Sequence, residues 1–244
     1  MTPCVILAGG LGTRIRAVAA DVPKVLVPVL GQPFVHHQLS WLASQGVTTV
    51  VLSIGHKGAA VRHYVGDGGR WGISVTYVDE GEDLRGTGGA LRLALAQGVL
   101  PERFLLLYGD SYLPVDIAPV EEAYERSGLP ALMTVYRNED RWDRSNASYE
   151  GGRVVLYQKH HPDPERAGLR FLDYGLSMLG HDVVDEMVPP DQVCDLADVF
   201  HRLSVEGRLA GYEMTQRFFE VGSPEGLRDL EAHLSGPAPA PSER

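Results

Sequence analysis

Lysine is nearly absent from this chain: Lys24, Lys57 and Lys159 are the only three, and arginine carries the remaining positive charge. Basic residues as a whole are outnumbered, 22 against 32 acidic ones, for a formal net charge of −10. That balance speaks against a nucleic-acid binder, which would show a basic face. A small anionic ligand is compatible with it if its site is built locally, against the field of the whole molecule. Cysteine is scarce too. Cys4 and Cys194 have no metal-ligand spacing and indicate no disulfide framework. Both read as small buried hydrophobes in a reducing, cytoplasmic setting. Long apolar runs are missing: a run such as Phe104 to Tyr108 is far short of the ~20 residues that span a bilayer, so no membrane association is expected. Met1-Thr2-Pro3-Cys4 opens without the basic and apolar regions of a secretory signal. The nucleophile elbow Gly-x-Ser-x-Gly is absent as well.

What is present is ordinary globular composition, 44% apolar and 22% charged, at a length that one large α/β domain accommodates. Strand-like and helix-like periods alternate. Cys4 to Ala8, Thr48 to Ile54, Ile73 to Val78, Phe104 to Tyr108 and Ala131 to Tyr136 read as strands. Phe34 to Ser44, Ala59 to Val65, Thr87 to Ala96 and Asp116 to Arg126 read as helices, on length, β-branched content and glycine punctuation. Such alternation predicts βαβ units, and so an α/β fold: a three-layer Rossmann-like, mainly parallel sheet with helices on both faces. After Arg137 the pattern changes. Ala147 to Glu150 and Arg153 to Gln158 flank Gly151-Gly152 as a hairpin, and Asp173 to Leu179 is a further strand. Leu196 to Val205 is helical, Leu209 to Met214 and Phe218 to Val221 are strands, and Pro224 to Leu234 is a helix. This half reads as a small β-rich lid. The expected organisation is a single domain over 1–235, with 1–137 and 138–235 as its halves and 236–244 as a flexible tail.

The most informative segment is Leu7-Ala8-Gly9-Gly10-Leu11-Gly12-Thr13-Arg14, followed by Pro23-Lys24. A glycine-rich turn at the carboxyl end of the first strand lets backbone N–H groups approach a phosphate closely, at the edge where open parallel sheets bind ligands. Ile15 stands where a dinucleotide fingerprint needs its third glycine, and no Gly-Lys-Ser/Thr completes a P-loop. A nicotinamide dehydrogenase is therefore disfavoured. Arg14 and Lys24 would place fixed cations on this loop; a tight turn with solvated charges is the plainer alternative. Lys57 has no such context and reads as a surface charge.

Leu7 to Arg14 with Pro23-Lys24 resembles the signature of the sugar-1-phosphate nucleotidyltransferases. The resemblance continues through Gly31-Gln32-Pro33, Gly86-Thr87-Gly88-Gly89-Ala90-Leu91, Gly109-Asp110, Tyr157-Gln158-Lys159, Asp173-Tyr174-Gly175-Leu176 and Phe219-Glu220-Val221-Gly222-Ser223-Pro224. Within that family the chain is most similar to the short D-glycero-α-D-manno-heptose 1-phosphate guanylyltransferases. The resemblance implies the nucleotide-diphospho-sugar transferase fold and an enzyme joining an NTP to a heptose or hexose 1-phosphate with release of pyrophosphate. It implies Mg²⁺ on Asp110 and Glu220, and Arg14, Lys24 and Asp110 as catalytic residues. Nucleotide contacts are implied for Leu7, Ala8, Gly9, Gly10, Gly12, Thr13, Arg14, Lys24, Leu84, Gly86, Thr87 and Gly88. Sugar-phosphate contacts are implied for Gly109, Asn146, Gln158, Lys159, Asp173 and Gly175.

Each role has an alternative. Thr87 could cap its helix, Asp110 could cap or turn a loop, and Asn146 and Asp173 could be turn residues. Glu220 stands where most of the family has aspartate; the extra methylene moves its carboxylate outward by roughly 1.5 Å, so it could reach Mg²⁺ directly or through water. His36-His37 and His160-His161 lack zinc-site spacing; the second pair could line the sugar pocket, though a solvated loop is the plainer reading. Leu84, followed by Arg85, stands two residues before the Gly-Thr-Gly loop, where uridylyl relatives often carry a base-reading glutamine; this leans away from UTP and towards GTP. Uridylyl or thymidylyl transfer, or a non-catalytic nucleotide-sugar sensor, are the competing functions. A homo-oligomer is left open.

Overall fold

A computed structural model of the protein describes residues 1–10, 22–138 and 144–236. Gly12, Thr13 and Arg14 lie outside the described residues, as does the expected tail beyond Gly236. Thirteen strands and seven α-helices alternate along the described chain. The elements that build the site are β1 (Cys4–Leu7), α1 (Phe34–Ser44), β4 (Thr49–Ile54), β5 (Ser74–Asp79), α3 (Gly86–Ala96) and β6 (Arg103–Tyr108) in the first half. From the second half come β8 (Ala131–Arg137), the hairpin β9 (Ala147–Glu150) and β10 (Arg153–Tyr157), and β11 (Phe171–Gly180). These are followed by α6 (Leu196–Val205), β12 (Leu209–Met214), β13 (Phe219–Glu220) and α7 (Pro224–Ser235).

Nine of the strands form one sheet in the order β5-β4-β1-β6-β11-β8-β12-β10-β9. Its faces follow from the two-residue period of a strand. Cys4 and Ile6 of β1, Val50 and Leu52 of β4, and Leu105 and Leu107 of β6 point into one core. That core is closed by Val35, Leu39 and Leu42 of α1, Val61 and Val65 of α2 (Gly58–Val65), and Val120 and Tyr124 of α4 (Ala118–Ser127). Val5, Val51, Phe104 and Leu106 point the other way, against Leu91 and Ala94 of α3 and Val199, Phe200 and Leu203 of α6. Helices on both faces of a sheet whose centre is apolar on both sides make the expected three-layer α/β fold. No helix among the described residues is long and apolar enough to cross a membrane.

The sheet is more mixed than its alternating pattern suggests. β5, β4, β1 and β6 are parallel, and β8 and β12 are parallel to each other. Between these groups runs β11, antiparallel to both β6 and β8. Periodicity reports which residues face a core but not which way a strand runs, so this inversion was not readable. The β-rich second half is likewise continuous with the first: the hairpin β9–β10 forms the far edge of the same sheet. His181–Met187, where the pattern predicted nothing, is a two-turn helix (α5) too short to show a period.

A third, smaller core joins Val27, Val29 and Phe34 to Phe219, Val221, Leu227 and Leu230. Burying each of these side chains is worth about 1.5–3 kcal/mol. Their effect is to dock β13 and α7 beside the end of β6. There β13 pairs antiparallel with β7 (Ser111–Tyr112), setting Glu220 opposite Ser111.

Candidate active site

β1 lies between β4 and β6, so the chain leaves it towards one edge of the sheet and returns on the other side. A crevice opens at such a switch point, beyond the carboxyl ends of the strands. It contains two adjoining cavities. One, of about 250 Å³, is lined by Leu7, Ala8, Gly9 and Gly10 after β1, by Lys24 and Val25, by Glu80, Leu84, Gly86, Thr87 and Ala90, and by Tyr108, Gly109 and Asp110. The other, of about 530 Å³, has Asn146, Tyr157, Lys159, Asp173 and Gly175 on one side. Arg217, Phe218, Phe219, Glu220 and Ser223 are among the residues on its other side. Thr87, Tyr108 and Asp110 line both, so the cavities meet there.

Asp110 is held firmly at that junction. Gln38 of α1 is fully buried, and its Nε2 donates to the carbonyls of Tyr108 (3.0 Å) and Ser111 (2.8 Å), clamping the turn that carries the aspartate. The Val221 N–H donates to the Asp110 carbonyl at 2.9 Å, which ties β13 to the same turn. Lys24 opens a single 3₁₀ turn (Lys24–Leu26) after Pro23 and ion-pairs through Nζ with Asp110 Oδ2. Its ammonium also lies close to Gly222, where a side-chain carbon would come within 3.2 Å of it. The structure thus brings together Lys24, Asp110 and the Glu220 strand from three distant parts of the sequence.

Lys159 stands at the mouth of the larger cavity and donates to Asp195 Oδ2 at 2.8 Å. Asp195 was missed by the sequence reading except as the residue preceding a helix. It caps α6 by accepting from the Ala197 N–H at 3.0 Å, and its Oδ1 also accepts the Thr87 hydroxyl at 2.9 Å. Burial pushes the Asp195 carboxyl upward, but the hydrogen bonds from Lys159, Ala197 and Thr87 outweigh it and hold the group below the usual aspartate range.

Asp173 is the opposite case. Burial dominates, and the Gly175 N–H and the Lys159 charge only partly offset it, leaving the carboxyl pushed up from 3.8 to about 6. Its Oδ1 accepts the Gly175 N–H at 2.9 Å, and Asn146 Oδ1 accepts the Asp173 N–H at 2.9 Å, so these three expected sugar-side residues form one cluster. Burial also raises the phenol of Tyr108 well above its ordinary range, with the charges of Asp173 and its carboxylate neighbours adding to it. That keeps it a neutral donor at the junction.

Three expected contacts are placed differently. Gly109 lines the smaller cavity rather than the larger. Gln158 is in neither wall; its N–H donates to the Asn146 carbonyl at 2.8 Å, and the chain turns so that Lys159 points inward instead. Gly88 faces Cys194 rather than the cavity: its N–H donates to the Cys194 carbonyl at 2.8 Å. Gly86 is bound to the same strap of chain, for at φ +74° a side-chain carbon there would lie 2.5 Å from the Cys194 carbonyl oxygen. Packing against residues 192–195 therefore explains part of a glycine pattern that the sequence attributed to the nucleotide alone. Thr87 does not cap its own helix, which starts without a side-chain cap; its hydroxyl accepts the Leu196 N–H at 2.8 Å. Both cysteines are free, and neither His160 nor His161 lines either of these two cavities.

Residues 4–141 match the Nucleotidyl transferase family, and the chain belongs to it. It is an enzyme of the kind that joins an NTP to a sugar 1-phosphate. Among its relatives, the D-glycero-alpha-D-manno-heptose 1-phosphate guanylyltransferase of Aneurinibacillus thermoaerophilus is 37% identical over 94% of this chain and 97% of that protein. The mannose-1-phosphate guanylyltransferase of Mycobacterium tuberculosis is 28% identical over 98% of this chain but 67% of its own length. The structure of HddC from Yersinia pseudotuberculosis complexed with GMP-PN superposes with a TM-score of 0.78 at 22% identity. That superposition covers 96% of this chain and 100% of that one, and shows the shared fold.

Proposed function

We propose that the chain is a guanylyltransferase that joins GTP to a heptose or hexose 1-phosphate, giving a GDP-sugar and pyrophosphate. The observation that carries the reading is the pair of cavities meeting at Asp110, each with its own lysine: Lys24 on the smaller and Lys159 on the larger. Relatives named as guanylyltransferases, one of them matching almost end to end, support the choice of base and sugar class. Residues 1–235 act as one unit, with 1–137 supplying most of the nucleotide site and 138–235 the sugar side. The free thiols of Cys4 and Cys194 suit a cytoplasmic setting.

A phosphate oxygen of the sugar 1-phosphate is already an anion, so it needs no general base to attack the α-phosphorus of GTP. The barrier is repulsion between two polyanions and their misalignment, and positioned positive charge lowers both. Lys24, at the junction, bridges the reacting phosphates. Lys159, oriented by Asp195, receives the sugar phosphate, and Asn146 and Asp173 hold sugar hydroxyls. Arg14, which lies outside the described residues, is assigned to the triphosphate and the charge growing on the leaving pyrophosphate.

The acidic residues fit Mg²⁺. Among the described residues no three His, Cys, Asp or Glu side chains gather as a complete metal cage. Mg²⁺ in nucleotide enzymes needs none, since one or two carboxylates and the substrate phosphates suffice. Asp110 already balances a cation, the Lys24 ammonium, and β13 brings Glu220 to the neighbouring backbone position. Asp110 and Glu220 would hold the ion, which when bound supplies further neutralisation of phosphate charge.

The test is a matrix of GTP, ATP, UTP, CTP and dTTP against mannose, glucose and heptose 1-phosphates with Mg²⁺, read by pyrophosphate release. GTP with a manno-configured 1-phosphate should give the highest kcat/KM. Turnover led by UTP or dTTP would replace the guanylyl reading by another member of the same reaction class. No pyrophosphate from any pair would remove the reading altogether.

A further inference from the structure

The side chain that grips the Asp110 turn is out of keeping with its surroundings. Gln38 falls on the buried stripe of α1 with Val35, Leu39 and Leu42, and like them it is 0% exposed. The two groups beside its amide are backbone carbonyls, those of Tyr108 and Ser111, so the amide nitrogen must face them and donate twice. Its Oε1 is buried and has no hydrogen-bond partner among the described residues. Two donated bonds set against one unpartnered buried acceptor come close to cancelling. Stability alone therefore does not account for an amide at this point of the core.

The place of Gln38 in the chain suggests what the amide does. Tyr108 and Ser111 flank Gly109-Asp110, so one side chain holds the turn from both ends. Main-chain bonds complete the hold: the Gly109 N–H donates to the Leu7 carbonyl at 2.9 Å, and the Val221 N–H to the Asp110 carbonyl. The other end of α1 is tied to Lys24. The Val27 N–H donates to the Lys24 carbonyl at 3.1 Å, and the Phe34 N–H, at the start of the helix, donates to the Val27 carbonyl at 2.9 Å. A single helix is thus fixed at its first residue to the chain that carries Lys24, and one turn further on to the chain that carries Asp110. Gln38 itself lines neither cavity.

We propose that Gln38 is a positioning residue for the reaction: through α1 it sets the Asp110 carboxylate at a fixed place relative to Lys24 and to the strand that carries Glu220. The inference rests on the reading of Asp110 as a Mg²⁺ ligand. Mg²⁺ demands near-ideal octahedral geometry, so a carboxylate free to swing holds it poorly. Partners that orient a metal ligand without touching the metal are typically worth about 10- to 100-fold in affinity or activity. Gln38 acts at one further remove, on the backbone of the ligand's own turn.

The test is titration of the full chain with Mn²⁺, a paramagnetic stand-in for Mg²⁺, read by water-proton relaxation. Four variants are compared with the wild type: Asp110→Asn, Gln38→Met, Gln38→Glu and Leu39→Ala. Gln38→Met keeps the length and loses both donors; it should weaken Mn²⁺ binding about tenfold or more. Its rate of pyrophosphate release should fall by a similar factor, with the KM for nucleotide unchanged. Gln38→Glu keeps the shape and donates one O–H at most, so its loss should be smaller; it decides the question if the methionine variant does not fold. Leu39→Ala loosens the same helix without touching the turn, so it should melt lower than the wild type yet hold Mn²⁺ as tightly. Wild-type Mn²⁺ affinity in the Gln38 variants, even with a lower Tm, overturns the proposal, and so does an equal loss in Leu39→Ala. A wild type that holds no Mn²⁺, or holds it as well after Asp110→Asn, overturns the metal role of Asp110 and the proposal with it. Mn²⁺ binding that depends on Asp110 but not on Gln38 leaves the metal reading standing and removes the positioning role alone.

Discussion

Replacing Asp173 by asparagine should stabilise the protein at alkaline pH and do almost nothing at acid pH. The carboxyl is pushed from 3.8 to about 6 chiefly by burial. Each tenfold change in proton affinity is worth ~1.4 kcal/mol, so ionising this group inside the fold opposes stability by about 3 kcal/mol. The larger cavity, which Asp173 lines, admits some water, so about 2–3 kcal/mol is the working figure. The folded pKa is the higher one, and the folded chain therefore holds the proton more tightly than the unfolded chain. The opposition is absent below about pH 4, grows as the pH rises to about 6, and is constant above that. Asparagine carries no charge at any pH, and its carbonyl oxygen can still accept the Gly175 N–H that Asp173 accepts now. In a protein of this size 1 kcal/mol moves Tm by about 2–4 °C. The variant should therefore melt about 4–12 °C above the wild type at pH 8 and within about 2 °C of it at pH 4. Paired thermal melts at several pH values give the answer, because contributions from other groups cancel in the difference. A gap of the same size at both ends of the range, or a variant less stable at pH 8, would refute the reasoning. Activity should move the other way: losing a charged acceptor for a sugar hydroxyl should raise KM for the sugar 1-phosphate about tenfold or more.

Lys24→Met should cut the rate of pyrophosphate release by roughly 10²–10³ with little change in KM for the nucleotide, because a pre-aligned cation acts mainly on the transition state. A loss confined to KM would instead make Lys24 a simple binding residue. Arg14→Ala should abolish most turnover while leaving the circular dichroism melt unchanged, and near-wild-type turnover would remove it from the mechanism. Asp195→Ala should lower Tm by about 2–4 °C, since a lost helix cap is worth ~1 kcal/mol and the exposed pair with Lys159 adds little. Asp195→Asn should lie much nearer the wild type, because asparagine caps as well as aspartate; equal melting of the two variants would rule out the cap as the source.

Much of the first half was legible because its strands are short, β-branched and punctuated by glycine: Thr49–Ile54 and Arg103–Tyr108 fall within a residue of their expected bounds. The meeting of Asp110 and Lys24 was foreseeable from the resemblance of their motifs. The reach of Asp195 to Lys159 and Thr87 was not, for those residues are far apart in the chain and nothing local to Cys194-Asp195-Leu196 marks more than a helix start. Gln38 did leave a trace, being a polar residue on the apolar face of a helix, but its partners are backbone carbonyls with no sequence signature of their own. The run Gly86-Thr87-Gly88-Gly89 shows a further limit. One glycine pattern borders a cavity and packs on a protein neighbour together, and composition cannot divide the credit.

Asp195 has a consequence for how such an enzyme can diversify. The same side chain answers to the hydroxyl of Thr87, where the two cavities meet, and to the ammonium of Lys159 at the larger one, and it also begins a core helix. With nucleotide and sugar seated as proposed, donor and acceptor preferences are thereby yoked. A descendant adapting to a new sugar by shifting Lys159 would disturb the seat of the base unless the start of α6 were rebuilt in the same step, so inherited substrate changes should arrive as linked sets of substitutions rather than singly.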